Sequence, residues 1–212
     1  MRQVQTALDS FFDHFPRVFH VSLCPQSSTI ESSGLFSAAG LLARSALSIE
    51  ERGHILASQR KTTVILHTDF GETVLNDQIP LPAKALLRCL NGISPEDWYV
   101  EMNERIFFFL NEDKARNFAK VRADKLPART LLCLNTEKLI AGSETDFELC
   151  AFNSGNAMRK PVRRDRDSFQ TIAKYPLAER ARKYGWNHAV SELSIRRRNL
   201  NIAKALEAVV AL

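Results

Sequence analysis

Apolar residues recur along this chain with two different spacings, and each change of spacing marks a change of element. In "MRQVQTALDSFFDHFP", Val4, Leu8, Phe11 and Phe12 share one side of a 3.6-residue period, which predicts an amphipathic helix stopped by Pro16. "RVFHVS" then alternates: Val18, His20 and Ser22 fall on one face, Phe19 and Val21 on the other, as in a strand. "SSTIESSG" offers a serine cap, a short helical turn and a terminating Gly34. "SAAGLLARSAL" and "SIEERGHILASQR" predict two further helices, the second opened by Ser48 and Glu51 at capping-box spacing.

The middle of the chain is richer in strands. "TTVILHT" is β-branched, and "DFGETV" predicts a turn into another short strand. Helices are expected in "LPAKALLRCL", opening at Pro82, and in "SPEDWYVEMNE", capped by Ser94 with Pro95 first. The strand "RIFFFL" precedes the helix "NEDKARNFAKVRA", capped by Asn111, and the strand "RTLLCLN" precedes the short helix "TEKLIAG", closed by Gly142. "FELCAF" is a strand running into "NSGN", a turn expected to hold Gly155 at positive φ. Beyond Tyr175 the pattern predicts two helices, "PLAERARKYGW" and "SELSIRRRNLNIAKALEAVVAL", the latter with a stripe of Leu193, Ile195, Leu200, Ile202, Ala205, Leu206 and Val209. The irregular alternation lacks the rhythm of a doubly wound sheet and gives an α+β class. A domain over 1–175 with a basic helical extension over 176–212 is the expected organisation.

Composition changes this picture in one place. Hydrophobic residues at 45% and charged residues at 25% are ordinary for a globular chain of 212 residues. Runs such as "IFFFL" are too short to span a bilayer, and the N-terminus has no secretory apolar core, so a cytoplasmic protein without a membrane partner is expected. Cys24, Cys89, Cys133 and Cys150 are widely spaced and read as small thiols, with no metal site. The net charge of +5, however, is uneven. From Arg159 onward thirteen Lys or Arg stand against five acids, a net of +8, which leaves −3 for the rest. That asymmetry points to a polyanionic partner for the C-terminal quarter, with Arg163, Arg164, Arg166, Arg196, Arg197 and Arg198 as candidate phosphate contacts; a solvated basic face is the alternative.

The common nucleotide and hydrolase motifs are missing: there is no P-loop, no dinucleotide fingerprint and no nucleophile elbow. His54, His67 and His188 each stand alone. His20 differs, because Ser22 shares its strand face and a Gly-Leu corner follows, which builds a shallow cleft with an imidazole, a hydroxyl and backbone amides.

"FHVSLCPQSSTIESSGLFS" resembles the opening motif of the DarT-like and RNA 2′-phosphotransferase-like branches of the ADP-ribosyltransferase superfamily, with His20, Ser22, Ile30, Gly34 and Leu35 in the family's order. "RIFFFLNEDKARNF" resembles its second motif, an aromatic strand followed by a helix. The wider succession, from "VFHVS" to "NSGN", resembles a group of uncharacterised bacterial proteins. The resemblance implies a split mixed or antiparallel sheet flanked by helices. It also implies NAD as substrate and transfer of ADP-ribose, with nucleic acid as acceptor, in toxin–antitoxin or phage-defence systems where an antitoxin protein is a further partner.

By the same resemblance His20 contacts the NAD ribose, Val21 and Ser22 the nicotinamide, and Phe107 or Phe108 the nicotinamide ring. Gly34 and Leu35 close the cleft. Arg44, Arg52 and Arg60 are alternative holders of the diphosphate, a role suited to a planar guanidinium. In the region equivalent to the family's late catalytic strand Glu148 is the available carboxylate and Asn153 and Ser154 are candidate cofactor contacts, with Asp77 and Gln78 as substitutes should Glu148 face the core. A non-catalytic nucleic-acid-binding module and an RNA 2′-phosphate-processing enzyme are the other readings of the same motifs.

Overall fold

The computed structural model describes residues 2–23, 33–121, 129–158 and 162–212. Helix α1 (Arg2–His14) ends before Pro16 as its sequence predicts, and β1 (Arg17–Leu23) follows at once. The expected short helix over "SSTIE" lies outside the described residues. The next elements are β2 (Leu35–Phe36), α2 (Ala38–Ala43), α3 (Ile49–Ala57), β3 (Val64–Thr68) and β4 (Gly71–Leu75). Ser48 and Glu51 form the reciprocal capping box that opens α3. Helix α4 (Ala83–Leu86) is short, and Pro82 caps it instead of forming its first residue.

Helix α5 (Pro95–Asn103) has Pro95 in its first turn and the Ser94 hydroxyl on the Asp97 amide. Then come β5 (Arg105–Phe109), α6 (Glu112–Lys120) capped by the Asn111 side chain, β6 (Arg129–Asn135), α7 (Thr136–Ile140) and β7 (Phe147–Cys150). The chain finishes with β8 (Gln170–Thr171), α8 (Leu177–Tyr184), α9 (Trp186–Ala189), β9 (Glu192–Arg196), β10 (Asn199–Leu200) and β11 (Leu206–Ala211). The class is α+β.

Seven strands form one sheet in the order β11-β6-β1-β5-β9-β7-β8, with every neighbouring pair antiparallel. Strand alternation sorts its side chains between two apolar layers. On one face Val18, Phe108, Leu132, Leu149 and Leu193 meet Phe11 and Phe15 at the end of α1 and Leu177 and Ala181 of α8. On the other, Phe107 and Cys150 meet Trp98 and Tyr99 of α5, while Phe19 and Leu131 meet Ala115 of α6. Each fully buried Phe or Leu contributes roughly 1.5–3 kcal/mol, so helices on both faces lock the sheet between them. A β3–β4 hairpin packs on α2 and α3 through Leu42, Leu66 and Leu75.

The C-terminal segment corrects the sequence reading. Residues 192–211 form strands, not a helix, and they are no appendage: β9 lies between β5 and β7, and β11 covers β6. The stripe of Leu193, Ile195, Leu200 and Ile202 satisfies helical spacing, but Leu193 and Ile195 alternate strictly with Glu192 and Ser194. Two waiting sheet edges outweigh the helix propensity of "KALEA". At "NSGN" a turn forms as expected, yet Gly155 is absent from the glycines at positive φ.

Candidate functional site

The two halves of the sheet are joined by a single registered pair. β1 and β6 are in register over all seven residues of each, and β5 and β9 over five, whereas β1 and β5 share only Phe19↔Phe109. Past that pair the strands have no further ladder, so the Phe107 carbonyl lacks a β1 amide. His20 supplies the missing partner: its Nδ1 lies 2.9 Å from the Phe107 oxygen. A carbonyl only accepts, so Nδ1 carries the proton and Nε2 is left as an acceptor. Burial pushes the His20 pKa down, partly offset by that carbonyl, and keeps the ring neutral near pH 7.

Ser22 is buried on the same face, opposite Thr130, and the Phe108 ring stands 5.8 Å from the imidazole. The Gly34–Leu35 corner packs against this face. Leu35 packs in the same apolar layer as Phe108 and Leu132, and β2 pairs with β10 through Leu35↔Leu200. Gly34 has φ +83°, and a Cβ there would strike the Leu200 carbonyl, so only glycine fits.

Glu148 does not share the sheet face of His20. The registered rows Phe107↔Ser194↔Glu148 and Phe19↔Phe109↔Glu192 lie on the opposite sheet face from His20. Glu148 is held there by Arg105, whose Nε and Nη2 both lie 3.0 Å from its Oε2. Arg105 also donates to the Glu101 carboxylate at 2.5 Å, and its guanidinium covers the Phe169 ring at 4.2 Å. Glu148 is therefore a structural counter-ion.

The carboxylate that sequence reading missed is Glu192, the first residue of β9. It accepts from the Ser154 amide at 3.2 Å and from the Ser154 hydroxyl at 2.5 Å. Desolvation raises its pKa to about 7, against the lowering effect of those bonds and of nearby Arg164. The Asn153-Ser154-Gly155 corner thus serves Glu192, and Arg164 clamps the corner by donating to the carbonyls of Asn153 (3.4 Å) and Asn156 (2.6 Å). The alternation of Glu192 and Ser194 with Leu193 and Ile195 was the available signal, obscured by the helical reading.

The remaining candidates divide sharply. Asp77, Gln78 and Arg60 form a local clamp, in which Gln78 and Arg60 both donate to Asn103 Oδ1, at 3.2 and 2.8 Å, and Asp77 accepts from the Ile79 amide. Burial lowers the Arg60 pKa to about 10, which leaves it cationic. Arg52 turns to the carbonyls of Ser48 and Ala43. Arg44 sits beside β2, over the rings of Phe36 (5.4 Å) and Phe70 (4.8 Å), in an ion pair with Asp69. It is the arginine whose contacts reach the strand that packs against the His20 face. Phe107 packs on Phe169 across the sheet from the imidazole, so Phe108 is the aromatic of the His20 face.

The expected phosphate contacts are largely consumed. Arg196 is paired with Glu101 and Glu104, Arg197 with Asp146, and Arg163 with Asp165. Arg164 is 1% exposed and cannot reach a phosphate. Arg198 and Arg166 are exposed.

Residues 16–206 match a family of unknown function, DUF7002, and the chain belongs to that family. No curated protein and no solved structure gave a match. Among the described residues no helix is long and apolar enough to cross a membrane.

Proposed function

We propose that this DUF7002 chain is an ADP-ribosyltransferase-like domain that binds NAD at the β1–β5 split and transfers ADP-ribose to a nucleic-acid acceptor. The observation that carries the reading is the His20–Phe107 bridge at the parting of the two half-sheets, flanked by Ser22 and the Gly34–Leu35 corner. In this reading the nicotinamide–ribose bond breaks with its electron pair leaving on nicotinamide. The acceptor attacks the ribose carbon and loses its proton to a carboxylate or to water. His20 holds a ribose hydroxyl through its Nε2 lone pair, and Arg44 is the favoured diphosphate partner, exchanging Asp69 for it.

Both late-strand carboxylates lie on the sheet face away from His20. Glu148 is neutralised by Arg105, whereas Glu192 has no ion pair among the described residues and is the proposed carboxylate for that reason. Glu192 sits on a late strand, at a position in register with Phe109 and, through it, with Phe19 beside His20. A fixed, partly desolvated carboxylate stabilises positive charge developing on the ribose, and this stabilisation appears only in the transition state. The test is nicotinamide release from NAD by the purified chain in the presence of DNA or RNA strands, compared between the native chain and Glu192→Gln.

A non-catalytic binding module is the second reading. The observation favouring it is that neither Glu148 nor Glu192 shares the sheet face of His20. It predicts NAD or nucleic-acid binding without nicotinamide release.

A further inference from the structure

We propose that the ridge formed by α8 and α9 is the docking surface for a single-stranded nucleic acid. The arginines that the sequence marked for phosphate are mostly paired or buried, whereas Lys174, Arg180, Arg182 and Lys183 have no ion pair among the described residues. Over 174–188 these four stand against one acid, Glu179, for a net charge of +3.

Their placement follows from the amphipathic period of α8. Leu177 and Ala181 are buried against the sheet, which turns Arg182 and Lys183 outward. Arg180 is tied down, donating to the Ala189 carbonyl at 2.7 Å, and it braces the Tyr184 ring from 5.1 Å. Tyr184 is 46% exposed at the helix end, where Gly185 with φ +76° turns the chain into α9. Lys183 rests its ammonium near the same ring, and as the end of a flexible stem it exchanges the ring for a phosphate. At the foot of the ridge Trp186 stacks on exposed His14, a second flat ring pair.

Unpaired cations interleaved with exposed rings match a single strand, whose backbone follows the charges while its unpaired bases stack on the aromatics. A duplex keeps its bases stacked inside and has no use for the rings. The ridge also runs directly into β9: Val190 and Ser191 separate α9 from Glu192. A strand bound here lies on the His20 face of the sheet, which α8 covers, and so beside the proposed NAD site. That placement beside NAD rests on the transferase reading, whereas the docking does not.

The experiment is fluorescence anisotropy with labelled twelve-nucleotide oligo(dT) and oligo(U), and with a duplex of equal length, in the absence of NAD and across a salt series. The expected result is tighter binding of the single strands than of the duplex. The triple change Lys174→Gln, Arg182→Gln, Lys183→Gln should reduce the slope of log affinity against log salt by about 2. Tyr184→Ala should weaken binding about tenfold. Arg196→Gln with Arg197→Gln should leave the slope unchanged. Circular dichroism melting confirms that each variant is folded, and Lys174→Arg with Lys183→Arg serves as the charge-preserving control. Equal affinity for duplex, an unaltered slope in the α8 triple variant, or no binding to any strand would overturn the proposal. Strand binding as described, without any nicotinamide release, would leave the docking surface standing and remove the transferase reading.

Discussion

The imidazole of His20 takes the donor's place opposite the Phe107 carbonyl, at 2.9 Å, where the backbone of β1 no longer reaches β5. A side chain on one half-sheet satisfies a main-chain group on the other, so the gap between them is stable without a ladder. A buried carbonyl left unpaired costs about 1–3 kcal/mol. His20→Ala is expected to lose that amount in urea unfolding and to abolish the thermal shift produced by NAD. His20→Asn, which can still donate, should recover part of the stability.

The pH response of Glu192 has a definite sign. Its folded pKa is raised to about 7, so the native state holds a proton that the unfolded chain has released between its ordinary value and 7. The protonated carboxyl contributes fully below the unfolded pKa, and stability declines as pH rises through about 7. Glu192→Gln should therefore flatten the stability profile between pH 5 and 8, and it should exceed the native chain by about 1–3 kcal/mol at pH 8. His20 acts oppositely, since its folded pKa is lowered: its contribution is lost as pH falls below its unfolded value. Urea midpoints at pH 5 and 8 for the native chain and for Glu192→Gln isolate the glutamate from the histidine.

Much of the local grammar was readable without coordinates. Pro16, the Ser48–Glu51 box, Ser94 with Pro95, and Asn111 each act through neighbours within four residues, and the helices they bound are present. The segment after Glu192 was not readable in that way. Its apolar residues satisfy two periods, and the choice is made by β5, β7 and β6, strands far away in sequence. The same distance hid the role of Glu148, because its partner Arg105 lies 43 residues upstream. Arg196 and Arg197 show the charge version of this limit: a triplet that reads as a basic patch is neutralised by Glu101, Glu104 and Asp146 from elsewhere in the chain.

Gly40 gives a test whose sign is unusual. In an exposed helix interior Gly→Ala stabilises by roughly 0.5–1 kcal/mol. In α2, however, a Cβ at Gly40 would collide with the Arg198 carbonyl, the same oxygen that accepts from the Ser37 amide at 3.1 Å. Gly40→Ala should destabilise by about 1–3 kcal/mol and loosen the β2–β10 strap, read as a lower melting temperature.

Arg105 sits 6% exposed between two carboxylates. Arg105→Met leaves Glu148 without its cation and Glu101 with Arg196 alone, and should cost about 3–5 kcal/mol in urea unfolding. Adding Glu148→Gln to that variant should restore part of the loss, a coupling that a double-mutant cycle measures directly.

The proposed chemistry is tested most directly by the rate of nicotinamide release from NAD with single-stranded nucleic acid present, compared among the native chain, Glu148→Gln and Glu192→Gln. The expected result is measurable release by the native chain, a rate within a few-fold of it for Glu148→Gln, and a loss of about 100-fold or more for Glu192→Gln with NAD affinity retained. Release by Glu192→Gln at the native rate, or no release by the native chain with any strand, would contradict it.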